Sequence, residues 1–466
     1  MLSALITTPS NSFANINASA DLPDAVAPPI TIALFLEEFG LQRGCSFFSQ
    51  EFAVDTILFR PFKAVRPAPA FAAEVVAPPY DVLDTKEARQ KASGKPYSFL
   101  HISKAEIDLP ESIDPYDPAV YAKSAENYRN LLNKGILTQE NKPCYYVYRA
   151  VMGEHTQTGL AVAASVEAYD AGRIRRHEFT RVEKEDDRVR QIDALNAQTG
   201  PALLAYRQIL EVDAVIKKTV LTAPLYDVTA DHGIRHIIWK IDDEADIQTI
   251  TAAFSKQNIV YIADGHHRSA AASRIAKTRA QSNPNHNGTE DYNFFLAVAF
   301  PMNEMKILDY NRIVKDLNGL TPDAFLKALE KDFDLTPVSG IAKPEKKNTF
   351  GLYLSGKWYR MTLKTKPETT DPVKLLDVSL LSDLVLTPIL GIKDLRKDKR
   401  IDFVGGMRGL KELEDRVDND GFAVAFALYP TQMEELTAVA DTGQVMPPKS
   451  TWFEPKLTDG LLSNPI

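Results

Sequence analysis

Between Ile259 and Gln281 the chain reads IVYIADGHHRSAAASRIAKTRAQ, which places a carboxylate, a glycine, two imidazoles and a guanidinium in succession at Asp264, Gly265, His266, His267 and Arg268. The apolar run should end as a strand at Asp264 or Gly265, and the alanine-rich run should begin a helix at His266. The backbone N–H groups of His266, His267 and Arg268 are then the free donors of a first helical turn, at the positive end of the helix dipole. That arrangement favours phosphate. Gly265 permits close backbone approach, and Arg268 can grip phosphate oxygens bidentately. The plainer alternative makes Asp264 an N-cap and the histidines polar first-turn residues. Adjacent helical side chains point about 100° apart, so the two histidines do not make a metal site by themselves.

A second constellation lies upstream in AGRIRRHEFTRVEKEDDRVRQ. The charges after Glu183 fit a solvated helix face. Thr180-Arg181-Val182-Glu183 is a capping-box pattern that predicts a helix from Arg181 to about Thr199-Gly200-Pro201. Arg176, His177 and Glu178 precede that helix and can project into a cleft, with Glu178 as general base and His177 as its partner. FRPFKAVRP, APPYDVL and PYSFLHI read either as rigid pocket walls or as structural turns. In KSTWFEPKLTDGLL, Lys449, Ser450 and Thr451 are candidate anion contacts.

The elements that must position these residues alternate between strand and helix patterns, so the expected fold is α/β, with α+β character in a mixed sheet. AVYAKSAENYRNLLNKGIL predicts a helix stopping at Lys134-Gly135, and CYYVYRAVM with QTGLAVAASVEAYD predicts paired strands. The expected organisation is an extension over residues 1–55, either disordered or preceding the physiological start, then α/β regions over 56–165, 166–315 and 316–466. The 466 residues are 44% hydrophobic and 25% charged, enough for two or three globular regions. A net charge of −8 and a pI near 5.6 argue against partners recognised through nucleic-acid phosphates or an anionic membrane. Only Cys45 and Cys144 occur, which fits a reducing compartment and a cytoplasmic protein. The first residues lack a basic n-region and make a poor signal peptide.

LFRPFKAVRP, VVAPPYDVL, KPYSFLHISKAEIDLP, IRRHEFTRVEKEDDR, YIADGHHRSAAA and PKSTWFEPKL, in this order, closely resemble the bacterial family catalogued as domain of unknown function 1015, from about Thr56 to the C terminus. DGHHR is also similar to the D-G-H-H-R motif of free-serine kinases and, more remotely, to the G-x-x-R turn of the ParB and sulfiredoxin-like nucleotide-binding fold. The kinase likeness implies that Gly265, His266, His267 and Arg268, with Arg176, hold nucleotide phosphates, and that His177-Glu178 matches an upstream His-Glu element. About 85 residues separate the two elements, more than in the compact kinases. The position of the sulfiredoxin cysteine falls at His266, which sets that activity aside. The resemblance therefore implies a ParB/sulfiredoxin-like nucleotide-binding core within a larger protein. It also implies a phosphotransferase using ATP or ADP, with Mg²⁺ near Asp264, on a small hydroxyl metabolite for which free L-serine is the leading candidate. A nucleotide sensor or a nucleotide hydrolase is the alternative. The acceptor-binding residues and the oligomeric state are not legible.

Overall fold

The longest apolar runs become the interior strands of one mixed sheet. In the computed structural model, which describes residues 57–466 and so leaves the expectation for residues 1–55 outside the described residues, nine strands form it. They are β1 (Phe59–Arg60), β2 (Tyr145–Met152), β3 (His155–Ser165), β4 (Ile174–Arg175), β5 (Ala202–Tyr206), β6 (Tyr226–Thr229), β7 (Arg235–Ile241), β8 (Val260–Asp264) and β9 (Phe294–Pro301). Their order is β4-β8-β5-β9-β3-β2-β7-β6, with β1 paired to the end of β3. β4 and β8 are parallel, as are β5 and β9; the other pairings are antiparallel. The fold is thus mixed α/β, and strands from both sides of residue 166 share this sheet.

β5 and β9 are buried along their whole length because both faces of the sheet are covered. Alternation along β2 shows how. Tyr145 and Val147 enter a core with Ile250 and Phe254 on one face, while Tyr146 and Tyr148 enter a core with Phe300, Phe350 and Val424 on the other. That second core is shared with an antiparallel sheet of β10 (Tyr310–Val314), β11 (Phe333–Val338), β12 (Thr349–Leu354), β13 (Lys357–Leu363), β14 (Ile401–Gly405) and β15 (Val424–Leu428), ordered β11-β13-β12-β15-β10-β14. Each buried side chain such as Phe350 or Phe426 stabilises this packing by roughly 1.5–3 kcal/mol. Among the described residues no helix is long and apolar enough to cross a membrane.

Three helices bear on the site. α1 (Pro118–Asn133) stops as its sequence predicts, at Lys134 and a left-handed Gly135 with φ 69°. α2 (Val182–Leu195) departs from expectation. Its N-cap is Arg181 without a side-chain cap bond, and the Thr180 hydroxyl donates to the Glu185 carboxylate, so the capping box does not form. The reason is tertiary: the Arg181 N–H donates to His267 Nε2 at 3.1 Å, which ties the loop before α2 to the histidine turn. The helix also ends earlier, because Asn196 turns left-handed at φ 50° and Ala197–Gln198 pairs with Asn464–Pro465. α3 (His266–Ser282) begins where its sequence predicts. Its Ala271 and Ile275 pack against Ile192 of α2, and small alanines let the two helices approach closely.

Candidate functional site

The turn that joins β8 to α3 is shaped by Gly265, which takes a left-handed conformation at φ 88°. A side chain there would be strained, and its Cβ would meet Ala202 Cα at 3.1 Å. Just ahead of it, the pairing of β8 with β5 slips between Ile262 and Asp264, an irregularity of the kind that re-aims side chains beside functional sites. Asp264 is not the N-cap. Its Oδ1 accepts from the Gly265 N–H at 2.8 Å and its Oδ2 accepts from Lys456 Nζ at 2.8 Å. Ser269 N–H bonds back to Gly265 O, but among the described residues nothing accepts from the N–H groups of His266, His267 and Arg268. The helix therefore opens with three free donors.

The loop from His177 to Arg181 lies against this opening. His177 N–H faces His266 Nε2 at 3.5 Å, and the two rings meet edge to face at 4.6 Å between centroids. Four positions on, Arg181 N–H reaches the other histidine, as described above. Both histidine rings thus serve as acceptors that fix the loop, and the two elements separated in sequence sit side by side. On the far side of His177, its Nε2 lies 3.4 Å from Thr451 Oγ1 and its carbonyl accepts from Met446 N–H at 2.8 Å. Glu178 is half-buried and has no hydrogen-bond partner among the described residues. Burial pushes its carboxyl up, as does Asp264 nearby, while Lys449 and Arg396 pull it down without cancelling the rise.

Charge is distributed unevenly across the site. Burial opposes ionisation of Asp264, but the Lys456 and Arg268 cations outweigh it and hold the carboxyl well below the usual range. Burial pushes His177 down to about 4, and burial also holds His266 well below the usual imidazole range, with His177 and Arg176 adding to the effect on His266. Both rings are neutral at physiological pH. A histidine depressed in the folded state binds its proton later than in the unfolded chain, so its contribution to stability is present above about pH 6.5 and is lost as pH falls towards about 4. His177 alone should account for a loss on the order of 3 kcal/mol over that window. Urea unfolding at stepped pH should show a shallower acid decline for His177→Gln than for the unaltered chain; parallel declines would refute this.

Arg268 is placed differently from a free phosphate clamp. Its Nη1 donates to Pro201 O at 2.7 Å, its Nη2 pairs with Asp81 Oδ2 at 3.0 Å, and it lies over Tyr80 at 5.4 Å. Arg176 is turned to Tyr169, 3.5 Å from its hydroxyl and 5.4 Å from its ring centroid, at the edge of the site. Tyr80 and Asp81 bring APPYDVL to the turn, and Thr451, Lys449 and Lys456 bring the C-terminal stretch. FRPFKAVRP and PYSFLHI remain scaffolding: Arg66 pairs with Glu140, and Phe99 packs under Gly460. Lys456, Asp81 and Asp459 were not distinguished in sequence, and Arg188, expected on a solvated helix face, is instead only 12% exposed and pairs with the buried Asp187 at 2.7 Å. All but Asp459 lie inside the ordered motifs, yet no local spacing marks Lys456 and Asp81 as partners of Asp264 and Arg268, nearly two hundred positions away. Lys449 is held in a left-handed conformation at φ 61°, its carbonyl accepting from the fully buried Arg312 at 2.9 Å.

Fold and site together define a mixed α/β protein in which a helix N terminus with three free N–H donors lies beside an unpaired carboxylate. Residues 59–379 match the family described as "Protein of unknown function (DUF1015)", and the chain belongs to that family. No curated protein matches it. Among solved structures, a free serine kinase in complex with AMP is similar at 13% identity and a TM-score of 0.32, covering 65% of this chain and 92% of that one. A conserved hypothetical protein from Pyrococcus furiosus (14%, TM-score 0.31, covering 67% and 97%) and C-terminally truncated SbnI from Staphylococcus aureus (12%, TM-score 0.34, covering 65% and 87%) are similar to the same degree.

Proposed function

We propose that the chain binds ATP or ADP with its phosphates on the α3 N terminus and transfers a phosphoryl group to a small hydroxyl compound. The observation that carries this reading is the set of three free N–H donors at His266, His267 and Arg268 with the unpaired Glu178 carboxylate across the turn. In the proposed reaction the acceptor oxygen bonds to the terminal phosphorus as the bridging P–O bond breaks, and Glu178 takes the hydroxyl proton. The products are a phosphomonoester and the shortened nucleotide. Such transfer needs mainly positioning and neutralisation of charge, which the helix end, Lys456 and Arg268 supply. His177 and His266, both neutral, position the loop that carries Glu178. Free L-serine is the acceptor suggested by the D-G-H-H-R likeness, within a ParB/sulfiredoxin-like core.

Mg²⁺ fits this reading as an ion carried by the nucleotide. Among the described residues no three His, Cys, Asp or Glu side chains converge to hold a metal, and Mg²⁺ characteristically uses one or two carboxylates with water and phosphate completing its shell. Asp264 is the carboxylate that would hold it, and the ion would neutralise phosphate charge. Incubation with Mg²⁺, ATP or ADP and L-serine, followed by phosphorus NMR, should yield a new phosphomonoester resonance. Nucleotide binding without turnover would leave a sensor instead, and absence of binding would overturn both.

A further inference from the structure

Beside the α3 turn lies a second polar space, a cavity of about 30 Å³ lined by Tyr80, Arg188, Thr199, Gly200, Arg268 and Asp459, with Ile192, Phe295 and Leu296 as its apolar wall. Asp459 is only 2% exposed, and its Oδ1 has no hydrogen-bond partner among the described residues. The buried Nε–H of Arg268 is equally without one. These two groups attract each other electrostatically but do not form an ion pair, because Arg268 is spent on Asp81 and Pro201. An ideal Cβ on Gly200 would stand 3.2 Å from Asp459 Oδ1 and 3.5 Å from Arg268 Nε. Glycine at 200 thus keeps open the space that both orphaned atoms border.

Leaving a buried donor or acceptor unmade is costly, and such groups in a native structure call for an explanation. What completes this pair must donate one hydrogen bond and accept another. An ammonium cannot accept, and where Asp459 is ionised, above about pH 7, a carboxylate or phosphate cannot donate and would meet its negative charge. A hydroxyl does both. The cavity exceeds the roughly 10–15 Å³ that one water requires, and its apolar wall suits the carbon that bears a hydroxyl.

We propose that this cavity is a hydroxyl-recognition subsite, in which one ligand hydroxyl donates to Asp459 Oδ1 and accepts from Arg268 Nε–H. The inference rests on the phosphate reading of the α3 turn, because the Arg268 side chain divides the two spaces: its Cδ lies 3.6 Å from an ideal Cβ at both Gly200 and Gly265. The hydroxyl belongs either to the nucleotide ribose or to the small acceptor, and the test separates these sources.

Calorimetry on the full chain with Gly200→Ala is the direct experiment, since the added methyl enters the cavity without removing a charged group. Tripolyphosphate affinity should stay within about twofold, while one hydroxyl ligand should weaken about tenfold or more. Loss for ADP but not for its 2′,3′-dideoxy analogue assigns the ribose; loss for L-serine but not for L-alanine assigns the acceptor. Should Gly200→Ala fail to fold, Asp459→Asn should weaken the same ligand selectively. Unchanged affinity for both ADP and L-serine means that the cavity holds only water and overturns the subsite. Failure of the unaltered chain to bind tripolyphosphate instead refutes the phosphate reading, and a selective loss of ADP or L-serine binding would then still support the subsite.

Discussion

Replacing Glu178 by Gln should lower the rate of phosphomonoester formation by a factor on the order of 10² to 10⁴, the range over which a positioned general base contributes. Nucleotide affinity should change little, because the phosphates are held by the α3 donors and not by this carboxylate. The pH profile gives an independent reading. Burial raises the Glu178 pKa above its usual 4.5, so the acid limb of the profile should lie above the ordinary carboxylate range and vanish in Glu178→Gln. Stability should move the other way. A carboxyl raised in the folded state contributes stability that is present at low pH and lost as pH rises through its folded value. At pH 8 the ionised, half-buried Glu178 is therefore a cost, and Glu178→Gln should unfold at the same or a higher urea concentration. A variant that loses activity and stability together would mark Glu178 as structural.

Much of this site was legible because it is local. The strand-glycine-helix succession from Val260 to Ser282 follows from apolar run, glycine and alanine run, and the structure bounds β8 and α3 accordingly. The stop of α1 at Lys134-Gly135 follows from equally local chemistry. The start and end of α2 do not. Thr180 has the right residue three positions later for a capping box, yet contacts between Arg181 and His267 and between Ala197 and Pro465 decide the backbone there. Long-range partners were invisible for the same reason. Nothing near Asp264 in the sequence announces that Lys456 holds it, and nothing near Arg268 announces Asp81. A further difference concerns the histidines. Their types suggested polar first-turn or phosphate-facing residues, whereas both ring nitrogens Nε2 accept backbone N–H groups of the loop that carries Glu178. In the proposed reaction they join the two halves of the site, a role that only folding could assign.

Arg268→Ala should destabilise the protein by about 3 kcal/mol and also abolish measurable nucleotide binding. The side chain is 11% exposed and bonds to Pro201 O and Asp81, and its charge also serves Asp264 and Asp459. Removing it leaves a carbonyl unpaired and three carboxylates with less positive charge to face. Asp459 is the most sensitive of these, since burial already pushes it up to about 7 even with Arg268 present. Asp81 is 41% exposed, so solvent screens its share and keeps the loss at the lower end of the range for a broken buried pair. Lysine at 268 distinguishes scaffold from phosphate ligand. It restores a charge near Asp81 and Asp459 but lacks the planar fork that reaches Pro201 O and Asp81 together. Arg268→Lys should therefore recover part of the urea midpoint. If Arg268 acts on nucleotide chiefly by keeping Gly265 and the α3 donors in place, affinity should recover in proportion to stability. If its guanidinium itself moves onto phosphate when nucleotide binds, stability should recover and affinity should not. Arg268→Ala with an unchanged urea midpoint would refute the scaffold role.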